Sequence, residues 1–277
     1  MDMKSVGLTV DHKAEMTLID PDYVYFVEMI KKESGIDLSQ YKEGQMKRRL
    51  TTLRVKNGYN SFDLFFKAMM QNKNLFNEFL DRMTINVSEF WRNPNRWEVL
   101  RDSIVPELLR NNKGRLKVWS AACSTGEEPY TLAMILADKG ILSNTTLMAT
   151  DIDNGALEKA QLGQYLERSL KDVPKDVAAK HFISEGMHYN INDALKKAVQ
   201  FKKQNLLLDT FDSSFDLIVC RNVMIYFTEE AKNTLYRKFA NSLRPGGYLF
   251  VGSTEQIFSP GQYDLESTET FFYRKKV

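Results

Sequence analysis

The spacing of apolar positions changes about a third of the way along the chain. Tyr23, Phe26, Val27 and Ile30 recur at helical spacing, and Ser34-Gly35 ends that pattern. Residues 41–56 repeat it and close at Asn57-Gly58. Ser61 reads as an N-cap for the helix that follows, and a further helix is predicted from about Asn74 to Thr84. No run in this region reads as a strand, so a small all-α domain is predicted over residues 19–85, preceded by a loose tail over 1–18. From about residue 115, short apolar runs alternate with helical patterns. Strands are predicted at 116–120, 146–150, the VQFKKQ stretch from Val199, 215–220, 248–252 and a final FFYRKK. Helices are predicted after Gly126 through Met134, from near Asn154, and over 229–243, with Arg-Pro-Gly-Gly at 244–247 as a helix-to-strand turn. This alternation predicts an α/β fold with a doubly wound, mostly parallel sheet over residues 100–277. The pattern weakens between Tyr165 and Val199. An insertion over about 165–200, packed on the sheet's edge, is expected there, and residues 86–99 form a linker between the two parts.

Composition narrows the class only slightly. The 277 residues are 43% hydrophobic and 27% charged, with a net charge of +2, which fits a globular protein and gives no footprint of a nucleic-acid binder. No apolar run reaches the length of a membrane span, and residues 1–18 lack the apolar core of a signal peptide. Cys123 and Cys220 each close a strand-like run and read as reduced core thiols, as in a cytoplasmic protein. A monomer without membrane insertion is expected.

An open parallel sheet binds ligands at the carboxyl ends of its strands. The turn AACSTGEEP (residues 121–129) falls there. Its small residues permit close backbone approach, but it lacks G-x-G-x-x-G, and Glu127 and Glu128 stand where a phosphate would need donors. A ligand with an ammonium and a sulfonium suits the turn better. Asp151 ends the next predicted strand and is placed to accept ribose hydroxyls; Asn205 and Leu206, just past VQFKKQ, offer an amide and an apolar wall for a base. Taken singly, the two glutamates equally suit the helix dipole and Asp151 a helix N-cap, and Asn205 reads first as a turn residue. Jointly, at the ends of successive strands, they favour adenosine.

The segment TINVSEFWRN (84–93) joins the two parts and is placed to cross the cofactor mouth, with Asn86, Ser88 and Arg92 as its polar groups. CRNVMIYF (220–227) ends the strand at 215–220 and sets Arg221, Asn222 and Tyr226 at the rim. Alone, Arg92 reads first as a surface arginine and Tyr226 first as a core aromatic. The order and spacing of TINVSEFWR, VWSAACSTGEEPY, ATDID, QNLL and CRNVMIYF resemble the chemotaxis receptor methyltransferases, the CheR family, from about Asp22 to the end. The resemblance implies a Rossmann-like S-adenosylmethionine methyltransferase with a small all-α N-terminal domain and a small β insertion. It further implies methyl esterification of glutamate carboxylates on the cytoplasmic helices of chemotaxis receptors. Its cofactor-binding residues carry over to Asn86, Ser88 (often threonine in the family), Arg92, Glu128, Asp151, Asn205, Leu206, Arg221 and Asn222. Tyr226 is implied to lie beside the transferred methyl, with Arg92 as the second catalytic residue.

A glutamate is already anionic at neutral pH and needs no general base. None of His12, His181 and His188 sits in a motif, and no metal is expected. A nucleic-acid methyltransferase is disfavoured because no proline follows Asn222, and a nicotinamide dehydrogenase because the phosphate loop is missing; a non-catalytic S-adenosylmethionine-binding docking module is the remaining alternative. Residues 42–56 carry six basic side chains against one acidic. Beyond a solvated helix face, this basic run fits docking on acidic receptor helices through Lys47, Arg48, Arg49 and Arg54. Some family members tether to a receptor pentapeptide through a glycine-rich loop in the β insertion. Residues 182–194 hold one glycine, Gly186, so docking without a tether is expected.

Overall fold

The computed structural model describes residues 20–112 and 114–277; the expected tail at 1–18 lies outside them. Four helices come first: α1 (Pro21–Ser34), α2 (Glu43–Lys56), α3 (Phe62–Gln71) and α4 (Lys73–Met83). Asp20, Ser61 and Asn72 cap α1, α3 and α4 by accepting main-chain N–H bonds, and Gly35 ends α1 in the left-handed conformation. Their apolar faces enclose Phe26, Leu50, Phe65 and Phe79, all fully buried.

An irregular segment, 84–93, leads into α5 (Pro94–Val99) and α6 (Val105–Asn111), joined through a wide π turn at Leu100–Ile104. The periodicity predicts neither helix, and the linker expected over 86–99 ends in α5; Pro106 lies in the first turn of α6. The wide turn ahead of it relieves the carbonyl clash a proline ring causes. Then follow β1 (Leu116–Ala121), α7 (Glu127–Asp138), β2 (Thr145–Asp151), α8 (Asn154–Leu162), β3 (Gln164–Leu166), α9 (Lys175–His181), β4 (Phe182–Glu185), β5 (His188–Ile191), α10 (Asp193–Ala198), β6 (Val199–Lys203), β7 (Phe215–Cys220), α11 (Glu229–Ser242), β8 (Leu243–Val251), β9 (Leu265–Glu269) and β10 (Phe272–Lys275).

The main sheet has the order β6-β2-β1-β7-β8-β10-β9, parallel from β6 to β8 and antiparallel across β10 and β9. This is the doubly wound, mostly parallel sheet the alternation predicts. Arg244–Gly247, expected as a turn, bulges between the Phe215–Leu243 and Leu217–Tyr248 pairings of β7 and β8. The chain winds outward from β1 to β2 and β6 and then returns to β7, so the topological switch point lies between β1 and β7.

The insertion is a three-stranded antiparallel sheet, β3-β5-β4. It packs through Tyr165 and Phe182 on Phe90 of the connecting segment (ring centroids 4.7 and 5.2 Å apart) and through Tyr165 on Tyr130 of α7. It therefore sits largely over α7, and α10 returns the chain to the β6 edge. No helix among the described residues is long and apolar enough to cross a membrane.

Candidate active site

Four turns meet around one site at the carboxyl end of the parallel strands, those after β1, β2, β6 and β7. The segment 84–89 closes over them, and Tyr41 enters from the helical domain. Together they enclose one cavity. Asn86, Ser88, Arg92, Glu128, Asp151, Asn205, Leu206, Arg221, Asn222 and Tyr226 all line it. The turn after β1 is bent by Ala122 and Ser124 (φ 58° and 48°) and by Gly126 (φ 96°). A side chain at Gly126 would collide with Ala160 Cβ at 2.8 Å and the Tyr165 hydroxyl at 2.9 Å, so only glycine fits.

Two carboxylates dominate the floor. Asp151 accepts from Ser124 N (2.8 Å) through Oδ2 and from Asp153 N (3.0 Å) through Oδ1, and burial raises its pKa. Each of its oxygens keeps acceptor capacity beyond these bonds. Glu128, at the start of α7, leaves 13% of its side chain exposed. Burial pushes its pKa up to about 7, against the opposing pull of Arg221 and the Ser120 hydroxyl, which donates to it at 2.9 Å. Glu127, its neighbour, points away and accepts from Thr125 at 2.7 Å.

The remaining expected residues divide by how their polar atoms are used. Asn86 is a strap: its Oδ1 accepts from Ser124 Oγ (3.0 Å), and its Nδ2 donates to Asp153 (2.7 Å). Ser88 faces the Glu127 carboxylate. Arg221, expected at the rim, lies beneath it with 3% of its side chain exposed. Its guanidinium is sandwiched between Trp97 and Phe250 (5.1 and 4.8 Å) and donates to Arg92 O (2.7 Å) and Asn93 Oδ1 (2.9 Å). It thereby buttresses the Arg92 main chain and stands 3.9 Å from Glu128. Arg92 and Tyr226 are half-buried at the mouth, and Asn205 and Leu206 form the wall after β6.

The four α2 residues expected to dock are used differently. Lys47 pairs with Asp20 at 3.0 Å, and Arg54 lies over the Phe62 ring and donates to Tyr59 O. Arg48 is exposed. Arg49 stacks on the Tyr226 ring at 4.9 Å, and repulsion from Arg48 and Arg82 adds to desolvation in lowering its pKa. Two main-chain bonds tie the segment before this helix to the strand-end loop: Lys42 N to Tyr226 O and Thr228 N to Gln40 O, both 2.9 Å.

The sequence pattern does not single out Tyr41, Gln204 or Glu255. Tyr41 pairs with Phe227 across the domain junction and faces Asp151, and no local periodicity marks such a contact. Gln204 N donates to Asp151 O at 2.9 Å. Glu255 follows the C-terminal end of β8 as Asp151 ends β2, which is the one signal that marks it.

A cavity at the switch point with carboxylates on its floor and no glycine-rich phosphate loop is the arrangement of an adenosine-binding α/β transferase. Residues 86–272 match the family model described as "CheR methyltransferase, SAM binding domain", and residues 21–84 match "CheR methyltransferase, all-alpha domain". A chemotaxis protein methyltransferase of Listeria innocua is 44% identical over 93% of this chain and 98% of its own length. One from Borreliella burgdorferi is 32% identical over 90% and 92%. The chain belongs to the CheR methyltransferase family and is an S-adenosylmethionine-dependent methyltransferase.

Proposed function

We propose that this protein transfers a methyl group from S-adenosylmethionine to glutamate side chains of chemotaxis receptors, forming methyl esters. The observation that carries this reading is the pair of cavity carboxylates, Glu128 and Asp151, set 23 residues apart on successive strand ends beneath a mouth formed by Arg92 and Tyr226. The floor fits the cofactor. Glu128 suits an ammonium, Asp151 has acceptor capacity for two ribose hydroxyls, and Asn205 with Leu206 offers an amide and an apolar wall to the base. When bound, the cofactor supplies a methyl group made electrophilic by the sulfonium.

The protein's own part is positioning and exclusion of water. A glutamate arrives ionised, so the residues at the mouth have no proton to remove. Arg92 holds the incoming carboxylate through its guanidinium, and Tyr226 orients the reacting centre. The product test is direct. Receptor labelled from methyl-labelled cofactor should release volatile methanol in mild base, as an ester does. Label that survives base would be on nitrogen and would overturn the esterification.

Receptor docking follows from the surface of α2. Lys47 and Arg54 are held within the helical domain, so Arg48 and Arg49, with Arg82 beside them, present the charge to an acidic helix. Arg48→Glu should raise the KM for receptor by about threefold or more, and increasingly at low salt, because rim charges act mainly on encounter. Cofactor affinity should stay at the unmodified value. Arg49 is a poorer probe, since its reversal disturbs Tyr226 as well. The β4–β5 hairpin turns on Gly186 and Met187 alone, which favours docking without a tether. A free receptor C-terminal pentapeptide that binds at micromolar levels and competes with receptor would reverse that assignment.

A further inference from the structure

The segment carrying Asn222 and Tyr226 leaves β7 without regular structure. Asn222 is left-handed (φ 61°), Val223 returns to the right-handed region, and a single turn follows over Met224–Tyr226. These residues wrap around one side chain that comes from the turn after β8. Glu255 Oε2 accepts from Asn222 N (2.6 Å) and Gly252 N (2.8 Å), and its Oε1 accepts from Met224 N (2.6 Å). The residue is 3% exposed.

A buried carboxylate costs free energy unless its oxygens are satisfied. Here main-chain N–H groups satisfy them, and all these groups belong to the β7 turn or to Gly252. Glycine at 252 is part of the fit, because an added Cβ would lie 2.3 Å from Glu255 Oε2 and 2.9 Å from Asn222 N. The strands themselves do not depend on this contact: Val219 pairs with Phe250 and Cys220 with Val251 in the sheet below it. Removing the carboxylate therefore frees the turn and leaves the sheet paired.

We propose that Glu255 is a positioning residue for methyl transfer, fixing the main chain of Asn222 to Met224 and through it the placement of Tyr226 at the cavity mouth. The inference rests on the reading of this cavity as the cofactor and methyl-transfer site. Glutamine at 255 keeps the shape but turns an amide N–H₂ toward N–H donors that need an acceptor.

The test is a pair of substitutions read against Tyr226. Glu255→Gln should lower kcat by about tenfold or more, with a smaller loss of S-adenosylmethionine affinity measured by calorimetry. Glu255→Asp keeps the charge but withdraws it by one methylene; it should lower kcat in the same sense, and it carries the test if Glu255→Gln does not fold. In a Tyr226→Phe background, Glu255→Gln should cost less than about threefold further, because coupled residues are non-additive. A wild-type kcat in Glu255→Gln, or in Glu255→Asp where Glu255→Gln does not fold, would overturn the inference, as would losses that simply multiply with Tyr226→Phe. The site reading is checked separately: if the unmodified protein does not bind S-adenosylmethionine, that reading fails, whereas normal binding with an unaffected Glu255→Gln removes this inference alone.

Discussion

Asp151→Ala should weaken S-adenosylmethionine binding by about tenfold or more, since hydrogen bonds to a charged group contribute about 1.5–3 kcal/mol each. The loss should appear in calorimetry with the circular dichroism spectrum unchanged. Asp151 is buried, and its two oxygens already hold Ser124 N and Asp153 N. The substitution therefore also loosens the turn after β1, and the effect should exceed that of Asn205→Ala, which alters only the wall. Unchanged affinity would remove Asp151 from the site and, with it, the ribose end of the proposed cofactor orientation.

Acidification should act on the same binding through Glu128. Its carboxyl is pushed up to about 7 by burial, so in the free protein near neutral pH it is partly protonated. A cationic ammonium binds only the ionised form. Binding must then release a proton below pH 7, and affinity should fall by roughly tenfold for each pH unit lost there. The sign is fixed by the direction of the shift: the acid form dominates on the low side, and the ligand favours the base form. Arg221 and Arg92 face Glu128 and pull the other way, whereas Glu255 pushes the same way as burial. Asp151, also raised by burial, adds to the loss at the acidic end. Glu128→Gln should bind more weakly at pH 7.5, in the sense of about 1–3 kcal/mol for a lost charged partner, and should lose most of the dependence on pH. Calorimetry in two buffers of different ionisation enthalpy would count the proton. A profile flat from pH 7.5 to 5.5 would show that Glu128 does not hold the ammonium.

The parts of this protein legible in its sequence are those written locally. A strand, a turn of small residues and a helix start lie within a dozen residues of one another, so the turn after β1, Asp151 and the β7 turn are visible as patterns. What stays hidden depends on distant packing. Arg221 reads as a rim residue, yet it lies under the rim because Trp97 and Phe250 close on its two faces. The periodicity does not predict the helices over 94–111, and β9 is polar along most of its length. Four arginines and lysines of α2 look equivalent in a charge count. Only the folded helix shows that Lys47 and Arg54 face partners within their own domain and that Arg49 faces Tyr226.

The two main-chain bonds and the Tyr41–Phe227 pairing at the domain junction mean that the helical domain and the cavity are not separable modules here. The wall that Tyr41 contributes and the guanidinium that covers Tyr226 are both encoded in the helical domain. A chimaera that exchanged this domain for a relative's would therefore import part of the cavity wall along with the proposed docking face. If α2 docks the receptor as proposed, partner choice and turnover are inherited as one unit, and a change of receptor along a lineage must preserve the seam at residues 40–42 and 226–228 or rebuild both of its sides together.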